Sequence, residues 1–152
     1  MQHAELYDSF GPLLAEFQQH QGFVEKTQLQ AGKFAQNVID RLIKKHTDAL
    51  MESFERIVAV LPDVDAAVED LATQQAGIAG GRDEHQFNLD VLRLELVIEQ
   101  ITQDEFHAAS EQTQSELAAI DASVSEIAAE LTKFQALMDE WAEVAIRAGV
   151  LE

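Results

Sequence analysis

From Phe106 to Ala145 the core-facing positions fall alternately four and three residues apart: Phe106, Ser110, Thr113, Leu117, Ile120, Val124, Ile127, Leu131, Phe134, Met138, Trp141 and Ala145. A seven-residue repeat sustained over this length draws one stripe along a helix, and such a stripe needs a partner helix to cover it. The ends of this helix are written in side-chain chemistry. In Ile101-Thr102-Gln103-Asp104-Glu105-Phe106, Thr102 stands as N-cap and Glu105 occupies the third helical position, from which it can return the capping bond. Ile101 and Phe106 form the hydrophobic staple around that cap. Arg147 followed by Gly149 supplies a basic last turn and a left-handed stop, so the pattern predicts a helix over about 103–148.

The N-terminal third carries a second stripe: Phe10, Leu13, Phe17, His20, Val24, Thr27, Ala31, Phe34 and Val38, then Ile43, Thr47, Leu50, Phe54, Ile57 and Leu61. It predicts one long helix over about 10–60. The phase slips between Val38 and Ile43, and Gly22 and Gly32 each weaken a helix by about 1 kcal/mol relative to alanine, so a bend belongs at one of these three places. Pro62 in a first turn, followed by Asp63 and Asp65, opens a short helix over about 63–75. Gly77, Gly80 and Gly81 then read as a flexible linker. Asp83, with Gln86 three residues on, opens a further short helix over about 84–100 that carries two stripes. One is Phe87, Val91, Leu94, Ile98 and Ile101; the other is Leu89, Leu92 and Leu96.

The fold expected from these elements is all-α and a single domain over 1–152: two long helices packed as an antiparallel coiled-coil hairpin, with two shorter helices between the arms. A four-helix bundle is the alternative. Antiparallel arms would bring Trp141 and Phe134 near Phe10, Leu13 and Phe17. The run from Leu94 through Ile101-Thr102-Gln103-Asp104-Glu105-Phe106 resembles the helix, cap and helix pattern of short bacterial helical-hairpin domains. Capping chemistry alone accounts for that likeness, and no function is carried over from it.

Charge narrows the partners. The 152 residues carry 28 acidic and 10 basic side chains, a formal net charge of −18, which repels nucleic-acid phosphates and anionic lipid surfaces. The expectation is therefore no nucleic acid and no membrane, and no uninterrupted apolar run approaches the roughly 20 residues that span a bilayer. The absence of cysteine removes disulfides and thiol chemistry, and the Met-Gln-His-Ala-Glu start has neither the basic nor the apolar region of a signal peptide, so a cytoplasmic location is expected. Six of the ten basic residues, Lys26, Lys33, Arg41, Lys44, Lys45 and Arg56, lie on the first long helix, whereas the last offers Lys133 and Arg147 against ten carboxylates. That asymmetry favours pairing of the two long helices.

Candidate chemistry is sparse. A carboxylate-bridged di-metal bundle needs two acidic-x-x-His pairs and two further inward carboxylates. Asp104-x-x-His107 with Glu111 is one such pair, and Glu16 with His20 offers only a partial second set; His20, on the apolar stripe, reads first as a core-edge histidine. None of the serines sits on a strand-to-helix elbow, and Gly77–Gly81 lacks the Lys-Ser/Thr ending of a phosphate loop. No enzyme activity, metal or cofactor is expected. The expected function is a non-enzymatic interaction module, an adaptor, scaffold or chaperone-like subunit acting through helical surfaces and self-associating as a homodimer. Phe87, Leu89, Val91, Leu92 and Leu96 are its candidate contacts, because one helix apolar on two faces needs cover on both. Arg41, Lys44 and Lys45 form a second candidate site for an acidic partner, with intramolecular pairing to the last helix the favoured use. Two rival readings are a metal- or cofactor-binding bundle built on His20, Asp104, His107 and Glu111, and an acidic inhibitor imitating nucleic acid.

Overall fold

The computed structural model describes residues 1–151 and contains three helices: α1 (Ala4–Gln28), α2 (Gln36–Val97) and α3 (Gln103–Ala148). The described residues include no strand, only an isolated bridge between Ala31 and Phe34. Three helices replace the four expected ones: the joints expected near 60–63 and 75–84 are absent, a new one lies at 29–35, and the corner before residue 103 stands where expected. The predicted first long helix is cut at residues 29–35, where Gly32 adopts φ +87°, a left-handed conformation that a side chain would strain. The two predicted shorter helices do not exist as separate elements, because α2 runs without interruption through Pro62 and through Gly77, Gly80 and Gly81. Pro62 is exposed, so the carbonyl it leaves without an intrahelical donor is open to water.

The continuity of α2 has a visible cause. Positions Ile39, Ile43, His46, Leu50, Ser53, Ile57, Val60, Val64, Ala67, Leu71, Gln74, Ile78, Gly81 and His85 follow the same alternation of four and three, and none is exposed. The glycine-rich stretch keeps that phase, with Ile78 and Gly81 on the inner face. The same face continues into Leu89, which is buried, and half-buried Leu92 and Leu96.

Two compact units make up the chain. In one, Val68–Thr132, the end of α2 and the start of α3 run antiparallel, as the pairs Arg82 Nε to Asp121 Oδ1 at 2.8 Å and His85 Nδ1 to Glu116 Oε2 at 3.0 Å require. Two caps close the corner between them. At the end of α2 the Gln100 N–H donates to the Glu95 carbonyl at 2.9 Å and the Glu99 N–H to that of Leu96 at 3.1 Å, a Schellman arrangement whose left-handed residue is Glu99, φ 60°. Thr102 Oγ then accepts from the Glu105 N–H at 3.2 Å to start α3. The same C-terminal arrangement ends α3 with glycine in the left-handed place: Val150 N–H to Ala145 O at 3.1 Å, with Gly149 at φ 77°.

The other unit joins Gln2–Ala67 with the chain from Lys133 on. Here α1, the first half of α2 and the end of α3 form a three-helix core around Phe10, Leu14, Phe17, Leu50, Ile57, Val64, Phe134 and Trp141, all buried. Complete burial of a side chain of this kind stabilises by about 1.5–3 kcal/mol. Trp141 lies edge-on to Phe17 with ring centroids 5.0 Å apart, and Phe54 lies 5.9 Å from it on α2. The direction of α1 differs from the antiparallel expectation. Its contacts with α3 advance together, Tyr7 with Phe134, Phe17 with Trp141 and Glu25 with Arg147, so these two helices run parallel. The reversal at 29–35 is the reason: it turns α2 back along α1, and α2 then takes the place opposite α3.

Candidate functional site

Burial divides the apolar residues near the end of α2 sharply between two faces. Of the candidate contacts on one face, Leu89 is buried and Leu92 and Leu96 are half-buried. On the opposite face Phe87, Leu94 and Ile98 keep 68%, 60% and 60% of their surface exposed, and Val91 and Val97 are exposed as well. Phe87, Val91, Leu94 and Ile98 are spaced four, three and four apart, a seam with no helix against it. Carboxylates surround it: Asp83, Glu84, Asp90, Glu95 and Glu99 are close in sequence. The whole unit carries fourteen acidic side chains against Arg82 and Arg93, and both arginines are engaged, with Asp121 and Asp90 respectively.

A second apolar surface lies in the other unit, at the reversal between α1 and α2. Phe23, Lys26, Thr27 and Gln30 form one wall of a groove of about 440 Å³, Val38, Ile39, Leu42 and His46 the other, and Phe34 contributes from the connection. Phe34, Val38 and Leu42 are exposed, with Phe34 at 60%, and the neighbouring Leu29 at 75%. The surrounding chain is basic. Residues 26–46 hold Lys26, Lys33, Arg41, Lys44 and Lys45 against Asp40 alone, half of all the cations in a chain of net charge −18. Lys44 is engaged by Asp48 one turn on, at 2.7 Å, and that hydrogen bond and charge raise its pKa. Arg41 and Lys45 enter no ion pair among the described residues, which overturns the expectation that this basic group pairs with the last helix.

His20 of α1 and His46 of α2 meet at the side of this groove with their Nδ1 atoms 3.3 Å apart, and Phe23 packs against the His46 ring at 4.8 Å between centroids. Two imidazoles can share a hydrogen bond only while one nitrogen is unprotonated. Burial, then the nearby His20 and Lys45, hold the His46 pKa below the ordinary histidine value. His20 thus sits in a histidine pair rather than alone on an apolar stripe.

The other candidate ligands are not assembled. Asp104, His107 and Glu111 are all exposed on α3, and no group of three or more His, Asp or Glu residues able to hold a metal ion occurs among the described residues. No helix among the described residues is long and apolar enough to cross a membrane. The groove escaped sequence reasoning because its two walls come from helices whose relative register the sequence leaves open. One signal was available: Phe23 and Leu42 are large apolar residues that lie off the expected stripe, and they coincide with the basic cluster. Compared with family models, curated proteins and solved structures, the chain has no significant match to any of them.

Proposed function

We propose that this protein is a non-enzymatic interaction module that associates with a second copy of itself through the exposed face of α2, in the manner of a scaffold or adaptor subunit. The observation that carries the reading is the uncovered seam of Phe87, Val91, Leu94 and Ile98. Several large apolar side chains at helical spacing on one exposed face mark a protein contact surface. On the opposite face Leu89 is buried and Leu92 and Leu96 are half-buried, so the exposed face is the one available for association.

Sedimentation equilibrium over a wide concentration range tests this. The wild-type mass should rise above 16.9 kDa with concentration, and Phe87→Glu with Leu94→Glu should return it to 16.9 kDa without loss of helical signal. Both positions are exposed, so the substitutions spare the core. A wild-type mass that stays at 16.9 kDa up to millimolar concentration refutes the proposal.

A further inference from the structure

We infer that the α2 seam of one copy docks into the α1–α2 groove of the next, so that copies associate head to tail rather than by a two-fold axis. The inference rests on the self-association proposed above and adds the surface that receives the seam. Its ground is the pairing of two unlike surfaces on one chain. The seam is apolar with carboxylates beside it, Asp83, Glu84, Asp90, Glu95 and Glu99; the groove is apolar with cations beside it, Lys26, Lys33, Arg41 and Lys45. An apolar helix face laid in a groove between two helices is a common recognition mode, with residues at helical spacing as anchors. The groove volume of about 440 Å³ accommodates a few such side chains rather than a whole helix.

Electrostatics decides between this arrangement and the symmetric one. Pairing two seams face to face brings together two units that each hold fourteen carboxylates and two arginines, and like charges across an interface are unfavourable. Docking the seam on the groove instead sets carboxylates against cations that lack ion-pair partners among the described residues. The two arrangements therefore respond to salt with opposite sign: screening weakens the head-to-tail contact and relieves the repulsion in the symmetric one. A heterologous contact of this kind also leaves a free seam at one end and a free groove at the other, so growth continues beyond two copies unless a ring closes.

The test uses two full-length variants. The seam variant is Phe87→Glu with Leu94→Glu; the groove variant is Lys26→Glu, Phe34→Ser and Lys45→Glu, all at exposed positions, with circular dichroism to confirm that each remains folded. Each variant alone should sediment as a monomer, or in the groove variant's case with association weakened at least tenfold. An equimolar mixture should form a 1:1 complex, because one partner retains the groove and the other the seam. Wild-type association should weaken as sodium chloride is raised from 50 to 500 mM. If the groove variant associates like wild type, and the mixture with the seam variant forms no complex, the head-to-tail contact is wrong while self-association through the seam stands. If the seam variant associates like wild type, both fail.

Discussion

Replacing Gly77, Gly80 and Gly81 together by alanine separates a continuous α2 from a glycine linker. An added Cβ meets nothing within 4 Å at any of the three positions, and none has positive φ, so the substitution is free of steric conflict. Each Gly→Ala change inside a helix is worth about 0.8–1 kcal/mol, from the backbone freedom that glycine loses on folding. Gly77 and Gly80 are exposed and contribute that amount alone; half-buried Gly81 adds a fraction of the about 0.8 kcal/mol expected for a fully buried methyl. The sum is about 3 kcal/mol of stabilisation. With a urea dependence of about 2 kcal/mol per molar, the midpoint followed by circular dichroism at 222 nm should rise by roughly 1.5 M. Amide exchange over residues 74–90 should slow in parallel, which assigns the gain to this stretch. A midpoint within about 0.2 M of wild type, with unchanged exchange there, would show that the three glycines are not helical in solution.

Thr102→Ala should cost about 1 kcal/mol in urea unfolding, because the Glu105 N–H at the start of α3 loses its side-chain acceptor. Ser53→Ala should stabilise by about 1 kcal/mol in thermal or urea unfolding, since the Ser53 hydroxyl is buried without a hydrogen-bond partner among the described residues, and a lower midpoint would mean that the hydroxyl finds one. His46 has a folded pKa below its ordinary value of 6.5, so the unfolded chain binds more protons in the interval between the two. Stability should therefore fall as pH drops below about 6.5, and His46→Gln should flatten that dependence; an equal slope in the variant refutes the assignment.

What the sequence made legible depended on whether side chains or packing decide each feature. The caps of α3 are local: Thr102 and Gly149 act on neighbours within a few residues, and the seam from Leu117 to Trp141 is dense in large apolar residues. The inner face of α2 was harder to recognise because His46, Ser53, Ala67, Gln74, Gly81 and His85 occupy places where apolar residues were sought. Its helicity there is supported by contact with α3, through Arg82 with Asp121 and His85 with Glu116, and a single segment's propensity does not contain that term. At the reversal, Gly32 is a weak point for a helix, but Ala31, Phe34 and Val38 prolong the apolar spacing through it. Those residues extend no core stripe, and Phe34 and Val38 instead line the groove. The seam Phe87, Val91, Leu94 and Ile98 was visible as one of two apolar faces; which of the two lies inward required the structure.

The parallel pairing of α1 with α3 sets an order in which the chain can mature during synthesis. Partners in the antiparallel corner are near in sequence, Arg82 and Asp121 being 39 residues apart, whereas Gln18 and Glu140 are separated by 122. Contacts at short separation close first, because a shorter loop loses less entropy. As the chain leaves the ribosome, α1 and the first half of α2 emerge early, yet Phe17 and Phe54 have no Trp141 to pack against until some ninety further residues have been added. For that interval the nascent chain displays an aromatic surface that the finished protein hides. Shielding it is a task for whatever meets the chain at the exit, and release before Trp141 is made would leave that surface permanently open.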